Sequence, residues 1–181
     1  MKKMFVCMLL LAMGYVTTAQ EKKSKAKGSS VVDLGLGLGS PYWGSGIKNS
    51  LPFNPRIALE RFIDNNISIG GSVAYSSAKY NYVYFLEDYS LRYTAIFISG
   101  RGAYHFELPN KKIDPYLGLS VGYVIVSVND NEGFVATAAS SGIGYGVFAG
   151  ARYYPSSKFG VHAELGYTSF SLLNAGVSFR L

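Results

Sequence analysis

His162 and Glu164 stand two apart in FGVHAELGYT (159–168), and His105 sits in GRGAYHF (100–106). On an extended strand, residues two apart share a face, so His162 and Glu164 could act as a base and its orienting group. Acyl-transfer chemistry also needs a nucleophile within reach of the base. Serines are plentiful, yet no spacing assembles the three roles, and buried, hydrogen-bonded histidines are the simpler reading. No catalytic residue is assigned and no enzyme is expected. GLGLG (35–39) and GIGYG (142–146) hint at a phosphate cradle. Such a cradle presents its amides at a helix N-terminus, and no helix pattern follows either stretch. NDNEG (129–133) offers oxygens for calcium without the ligand spacing or the terminal glutamate of a binding loop. No metal and no cofactor is expected.

The elements that must position these residues are extended segments. No stretch keeps a 3.6-residue period with caps, whereas alternation recurs in windows close to the ~9 to 11 residues a tilted strand uses to cross a bilayer. VVDLGLGLG (31–39) sets Val32, Leu34, Leu36 and Leu38 against Asp33, Gly35, Gly37 and Gly39. The same rhythm runs through ISIGGSVAY (67–75), DPYLGLSVGYVIV (114–126), GIGYGVFAGARYY (142–154), FGVHAELGYT and the final strand from Leu173 to Leu181. PRIALERFI (55–63) and LRYTAIFISGRGAYHF (91–106) are less regular, and their faces follow from keeping Glu60 and Arg101 off the apolar side. Breaker-rich turns at 64–66, 108–112 and 155–158 alternate with longer loops at 40–53, 78–91 and 127–141 and a short one near 169–171. Eight strands with short and long connections in alternation predict an all-β fold, an eight-stranded antiparallel up-and-down transmembrane β-barrel over 31–181.

A soluble barrel would alternate too, but its outside would be charged. Here the bulky apolar face carries only Arg61, beside a turn, while the other face holds glycine, serine and ions. An eight-stranded interior is only just wide enough for side chains, so small residues inside and bulky ones outside suit a lipid surround. Aromatics gather near strand ends: Tyr42, Trp43, Tyr80, Tyr82, Tyr84 and Phe170 toward the loops, and Tyr104, Phe106, Tyr153, Phe159 and Phe179 toward the turns. They are expected to form interfacial girdles. Inward charges are Asp33, Arg56, Glu60, Arg101, Asp114, Arg152, Glu164 and Arg180, all but Arg56 near the turns. Asp33, Glu60, Arg101, Asp114, Arg152, Glu164 and Arg180, joined by His105 and His162, are expected to form a charged floor beneath a shallow cavity. Asp33 and Arg180 are expected to be neighbours across the closing seam.

The N-terminal MKKMFVCMLLLAMGYVTTAQ has two lysines, an apolar run and small residues before Ala19, the pattern of a signal peptide (1–19) cleaved after Ala19. The apolar run is shorter than the ~20 residues of a spanning helix. Cys7, the sole cysteine, leaves with it. Residues 20–30 read as a Lys-rich disordered periplasmic leader. The formal charge of +6 is concentrated in these two segments; from Val31 onward 11 Lys/Arg meet 10 Asp/Glu, which offers no basic face to nucleic acid.

The closing segment NAGVSFRL (174–181) resembles the C-terminal signal of Gram-negative outer-membrane barrels: polar Asn174, Gly176 two later, then Phe179 and Leu181. Leu181 departs from the aromatic that more often ends that signal. The whole of 31–181 is similar to the small eight-stranded barrels typified by outer-membrane protein X and the barrel half of outer-membrane protein A. The resemblance implies residence in the outer membrane, a last strand read by the barrel-assembly machinery, and closure of that strand against the first. Expected partners are outer-membrane lipids, that machinery, and an extracellular ligand of unspecified chemistry at loops 40–53, 78–91 and 127–141, with the protein a monomer. The expected function is structural or surface-interacting and non-enzymatic. The alternatives are a narrow porin-like transporter of small or apolar solutes and, further off, a lipid-modifying enzyme. Deleting Phe179 to Leu181 should abolish insertion and expose the chain to periplasmic proteases, while deleting most of EKKSKAKG should leave insertion intact; membrane fractionation of the two variants checks both outcomes.

Overall fold

The computed structural model describes residues 27–38, 48–49, 53–84, 87–129, 135–137, 141–168 and 170–181. The expected signal peptide, most of the expected leader and most of NDNEG lie outside these residues. Every main element is a strand: β1 (Ser30–Leu38), β2 (Asn54–Phe62), β3 (Ile67–Tyr84), β4 (Glu87–His105), β5 (Ile113–Asn129), β6 (Gly142–Tyr153), β7 (Phe159–Thr168) and β8 (Ser171–Arg180). Each strand runs antiparallel to the next, and β8 pairs back onto β1 from Val31↔Arg180 to Leu38↔Leu173. The sheet is therefore a closed up-and-down barrel. In lipid this matters because closure leaves no row of unpaired amides and carbonyls.

Alternation sets the two faces. Leu36, Ile57, Ile98, Leu119, Val147 and Leu165 are roughly half or more exposed and point outward. Between them along the same strands Asp33, Glu60, Arg101, Asp114, Arg152 and Glu164 are buried. An outward belt of this kind, continuous over the strands, has no partner within the chain and matches hydrocarbon. Near the short turns Tyr104 packs edge-on against Phe106 with ring centroids 5.2 Å apart, and Phe159 against Phe179 at 5.5 Å.

Three expectations change. The segment 78–91 is not a loop: β3 runs 18 residues to Tyr84, β4 starts at Glu87 and runs 19, and the two stay laddered to Tyr84↔Glu87. Likewise β5 continues to Asn129, where Val135–Thr137 pairs with Ser127–Asn129, and Lys48–Asn49 pairs with Ala78–Lys79. The sheet outruns the apolar belt because backbone pairing does not require lipid. Phe170 does not join an interfacial girdle; it is buried against Phe97, with ring centroids 6.0 Å apart. Residues 42 and 43 and the side chains at 80, 82 and 84 fall outside what the structure describes.

Close approach of backbones requires glycine at several places, Gly176 and Gly166 among them. A Cβ on Gly176 would run into the Leu34 carbonyl and the Gly35 Cα of β1, so the seam between last and first strands closes only over a bare backbone. Gly166 has φ +151° and would place a Cβ against the Val147 carbonyl. Gly176→Ala should cost about 1–3 kcal/mol through overpacking at the seam. Ala175→Val, which points outward next to it, should be tolerated, and the denaturant midpoints of the two folded variants in detergent will show the difference.

Candidate functional site

The lumen is too narrow for bulk water, so a charge placed there must find an opposite charge. The Arg152 guanidinium on β6 donates from Nη2 to Asp33 Oδ2 at 2.7 Å and to Glu60 Oε2 at 2.9 Å, and Nη1 lies 3.9 Å from Asp114 Oδ2. Glu60 is shared with Arg101, whose Nε is 2.6 Å from Glu60 Oε1 and whose Nη2 donates to Glu164 Oε1 at 2.7 Å. Glu164 is shared in turn with Arg56, in direct ion-pair contact, and accepts from the Tyr116 hydroxyl at 2.8 Å. The result is an alternating chain, Arg152–Glu60–Arg101–Glu164–Arg56, in which each carboxylate lies between two guanidiniums. Aromatic faces cover two of the cations: Phe148 lies 4.2 Å from Arg101 Cζ, and Tyr116 lies 4.5 Å from Arg152 Cζ.

Neutral groups extend the network to the remaining strands. Ser178 on β8 donates to Asp33 at 2.6 Å and lies 3.1 Å from His162 Nδ1, while His162 Nε2 is 3.2 Å from Asn174 Oδ1. Ser68 on β3 donates to Glu60 Oε2 at 2.9 Å and lies 2.9 Å from His105 Nε2; His105 Nδ1 is 3.0 Å from Asp114 Oδ1. Every strand of the barrel thus contributes at least one polar group.

Arg180 stands apart from this cluster. The seam register sets Asp33 opposite Ser178 and Arg180 opposite Val31, so the expected Asp33–Arg180 neighbourhood is not formed. Arg180 instead lies over the ring of Tyr154, with Cζ 3.2 Å from the ring centroid, in the turn that follows β6. Burial pushes the Tyr154 phenol up to about 12, so it stays neutral. The floor expected from the sequence left out Arg56, Tyr116, Ser68 and Ser178, although alternation along their strands turns all four inward. Their signal is the period of two, which sets all four on the faces that carry Glu60, Asp114, Ser72 and Arg180.

Above the floor the lumen is not a shallow open cavity. Phe97 and Phe170 fill it with Ala74 and Ala95, backed by Val124 and Val126. The Asn54 side-chain amide donates to the Phe170 carbonyl and holds that segment inward. Between the aromatic layer and the floor remains a cavity of ≈ 20 Å³, lined in part by Arg56, Ser72, Arg101 and Ser120. That is room for roughly one water molecule.

A closed ring of eight antiparallel strands, apolar outside and ion-paired within, agrees with a family model, described as outer membrane protein beta-barrel domain, that matches residues 6–180. The chain belongs to this outer-membrane β-barrel family. Among solved structures, the N-terminal barrel domain of Pseudomonas aeruginosa OprF is similar at TM-score 0.53 and 15% identity, covering 86% of this chain and 98% of that one. Neisserial surface protein A gives 0.51 and 18%, covering 86% and 97%. Ail, the attachment invasion locus protein of Yersinia pestis, gives 0.50 and 14%, covering 86% and 100%. At these identities the likeness is one of fold. No curated protein matches the chain in sequence. For an outer-membrane β-barrel of this family the short turns face the periplasm and the long connections face outward.

Ser68, His105 and Asp114 are hydrogen-bonded in the order of a hydrolytic triad. The serine oxygen, however, also binds Glu60, and all three residues are closed off inside the barrel. The trio serves as a strap between β3, β4 and β5. Among the described residues no group of three or more His, Cys, Asp or Glu could hold a metal ion. Removing one partner from a buried ion cluster strands the others, at about 3–5 kcal/mol. Arg101→Ala should therefore lower the denaturant midpoint of the detergent-folded barrel far more than Lys111→Ala in an exposed turn, as tryptophan fluorescence or gel mobility will report.

Proposed function

We infer that this protein is a non-enzymatic outer-membrane barrel whose work is done outside the membrane by its long connections, with the barrel as their rigid mount. The β3–β4 hairpin carries the inference. Its strands are 18 and 19 residues long, against the ~9 to 11 that suffice to cross the bilayer. About half of each strand therefore extends beyond the hydrocarbon as laddered sheet. Strand-paired backbone is stiff, and a hairpin flanked by Lys48–Asn49 on β3 and by β5 on β4, with Val135–Thr137 paired in turn to β5, is a platform for binding, since little ordering entropy is left to lose on contact. The family supports the location, and a barrel of the same fold, Ail, the attachment invasion locus protein of Yersinia pestis, has been solved in complex with the heparin analogue sucrose octasulfate.

Transport of small solutes is the other reading that the fold admits. The Phe97–Phe170 layer and the ion-paired floor weigh against it, because a solute would have to displace both. In planar bilayers the purified barrel should show no steady conductance; a stable open channel would favour transport instead. Replacing residues 81–90 by a two-residue turn should leave heat-modifiable gel mobility intact, and it should abolish adherence of expressing cells to surfaces that the parent protein makes them bind. Unchanged adherence would take the function away from the hairpin.

A further inference from the structure

The alternating ion chain of the lumen is finished differently at its two ends. At the periplasmic end Arg152 meets the carboxylates of Asp33, Glu60 and Asp114, and in the middle Arg101 lies between Glu60 and Glu164. Arg56, at the outer end, meets Glu164 alone among the described residues, and it shares that carboxylate with Arg101. Its charge is the least compensated of the three. The contact to Glu164 uses Nη1, whereas Nε and Nη2 have no hydrogen-bond partner among the described residues, although the side chain is only 7% exposed. These two nitrogens form one edge of the guanidinium, with N–H bonds that run side by side. A buried donor left unpaired is costly, and more so when it carries charge.

What surrounds that edge decides what it can hold. Arg56 lines the cavity of ≈ 20 Å³ above the floor together with Arg101, Ser72 and Ser120, beneath the rings of Phe97 and Phe170. Ser120 stands opposite Arg101 in the strand register, and Ser72 opposite Ser99, to which its hydroxyl is bonded at 2.8 Å. Both hydroxyls can donate, and no carboxylate is among the described lining residues. The charges at the cavity wall are two guanidiniums. The surplus negative charge of the floor lies at the far end of the chain, where Asp33 and Asp114 share Arg152. A water molecule would pair the free N–H groups and leave the charge of Arg56 as it is, whereas an anion does both, as the next member of the alternation. Size sets the class of anion. A cavity of this volume holds about one water molecule. Chloride is only slightly larger, while carboxylate, sulfate and phosphate each need room for several heavy atoms.

We propose that Arg56, Ser72 and Ser120 form a binding site for a single chloride ion, which closes the outer end of the charge chain in the lumen. The ion accepts from Nε and Nη2 of Arg56 and from the two serine hydroxyls, with Arg101 as a second cation at the wall. It is held beneath the aromatic layer and does not pass through it, so the site stabilises the barrel and conducts nothing. What the long connections bind has no bearing on it.

The test uses the whole barrel refolded in zwitterionic detergent. Its unfolding midpoint in urea should rise as chloride replaces gluconate at constant ionic strength, and the rise should saturate, as binding to the folded state alone requires. Bromide should substitute for chloride, and crystals grown in bromide should show one anomalous peak within hydrogen-bond distance of Arg56 Nε and Nη2. Ser120→Val fills part of the cavity and leaves every ion pair in place; it should fold and lose both the chloride dependence and the peak. Arg56→Lys keeps the charge but not the parallel donors, and it should need more chloride for half of the effect. Lys111→Ala, in an exposed turn, should behave as the parent does. Equal midpoints in chloride and gluconate would overturn the site. So would water density without anomalous signal beside Arg56 in bromide-grown crystals, or a chloride dependence that persists unchanged in Ser120→Val.

Discussion

A guanidinium inside a narrow barrel has neither water nor room, and this constraint governs the whole molecule. Arg56, Arg101 and Arg152 are each buried, and each is held by carboxylates on strands that are distant in sequence: Arg152 of β6 by Asp33 of β1, and Arg101 of β4 by Glu164 of β7. Such contacts exist only when the ring is closed and in register. A slip of one residue in a strand that bears a lumen charge would carry that charge to the lipid face, at about 2–4 kcal/mol for an arginine at the midplane, and would bring apolar side chains into the ion cluster. The network therefore acts as a register lock as much as a source of stability. The alternation Arg–Glu–Arg–Glu–Arg also explains why so many charges fit together, since no like pair is adjacent without an opposite charge between.

Packing divides the barrel by height. The periplasmic half is filled by ions and by the rings of Tyr116 and Phe148, the outer half by Phe97 and Phe170, and a water-sized gap lies between. A lumen filled in this way is a rod. Its mechanical consequence is that the outer sheet, which continues from the same strands without a hinge, inherits the rigidity of the membrane-spanning part. Surface recognition profits from such a mount, whereas conduction would need the filling to move.

The period of two made most of this legible in the sequence. All eight strands were visible because lipid forbids charge on one face and a crowded lumen forbids bulk on the other, so both faces left a signature. The signature fades where the environment stops discriminating. Beyond Tyr75 the apolar alternation stops at Ser77 and Lys79, and without it the paired strands of 78–91 read as loop. Register was equally silent: Asp33 and Arg180 lie near the same ends of their strands, but the stagger of a tilted barrel sets Ser178 against Asp33 instead, and nothing local in either strand encodes that offset. Phe170 read as an interfacial aromatic because its neighbours are polar; its inward turn depends on the Asn54 side chain, 116 residues away.

The last strand shows how far packing alone accounts for a motif that also resembles a recognition signal. Asn174 reaches His162, Ser178 reaches Asp33, Gly176 gives the clearance that β1 needs, and Phe179 packs against Phe159. Each of these residues would be selected by the finished barrel whether or not anything reads them beforehand. Leu181 differs. Its amide bonds the Ser30 carbonyl at 2.9 Å, a contact any residue but proline could make, while the residue is 76% exposed. The folded barrel asks almost nothing of that side chain beyond compatibility with the membrane interface. Closure of the ring therefore accounts for the residues at 174, 176, 178 and 179 and leaves the side chain at 181 unconstrained.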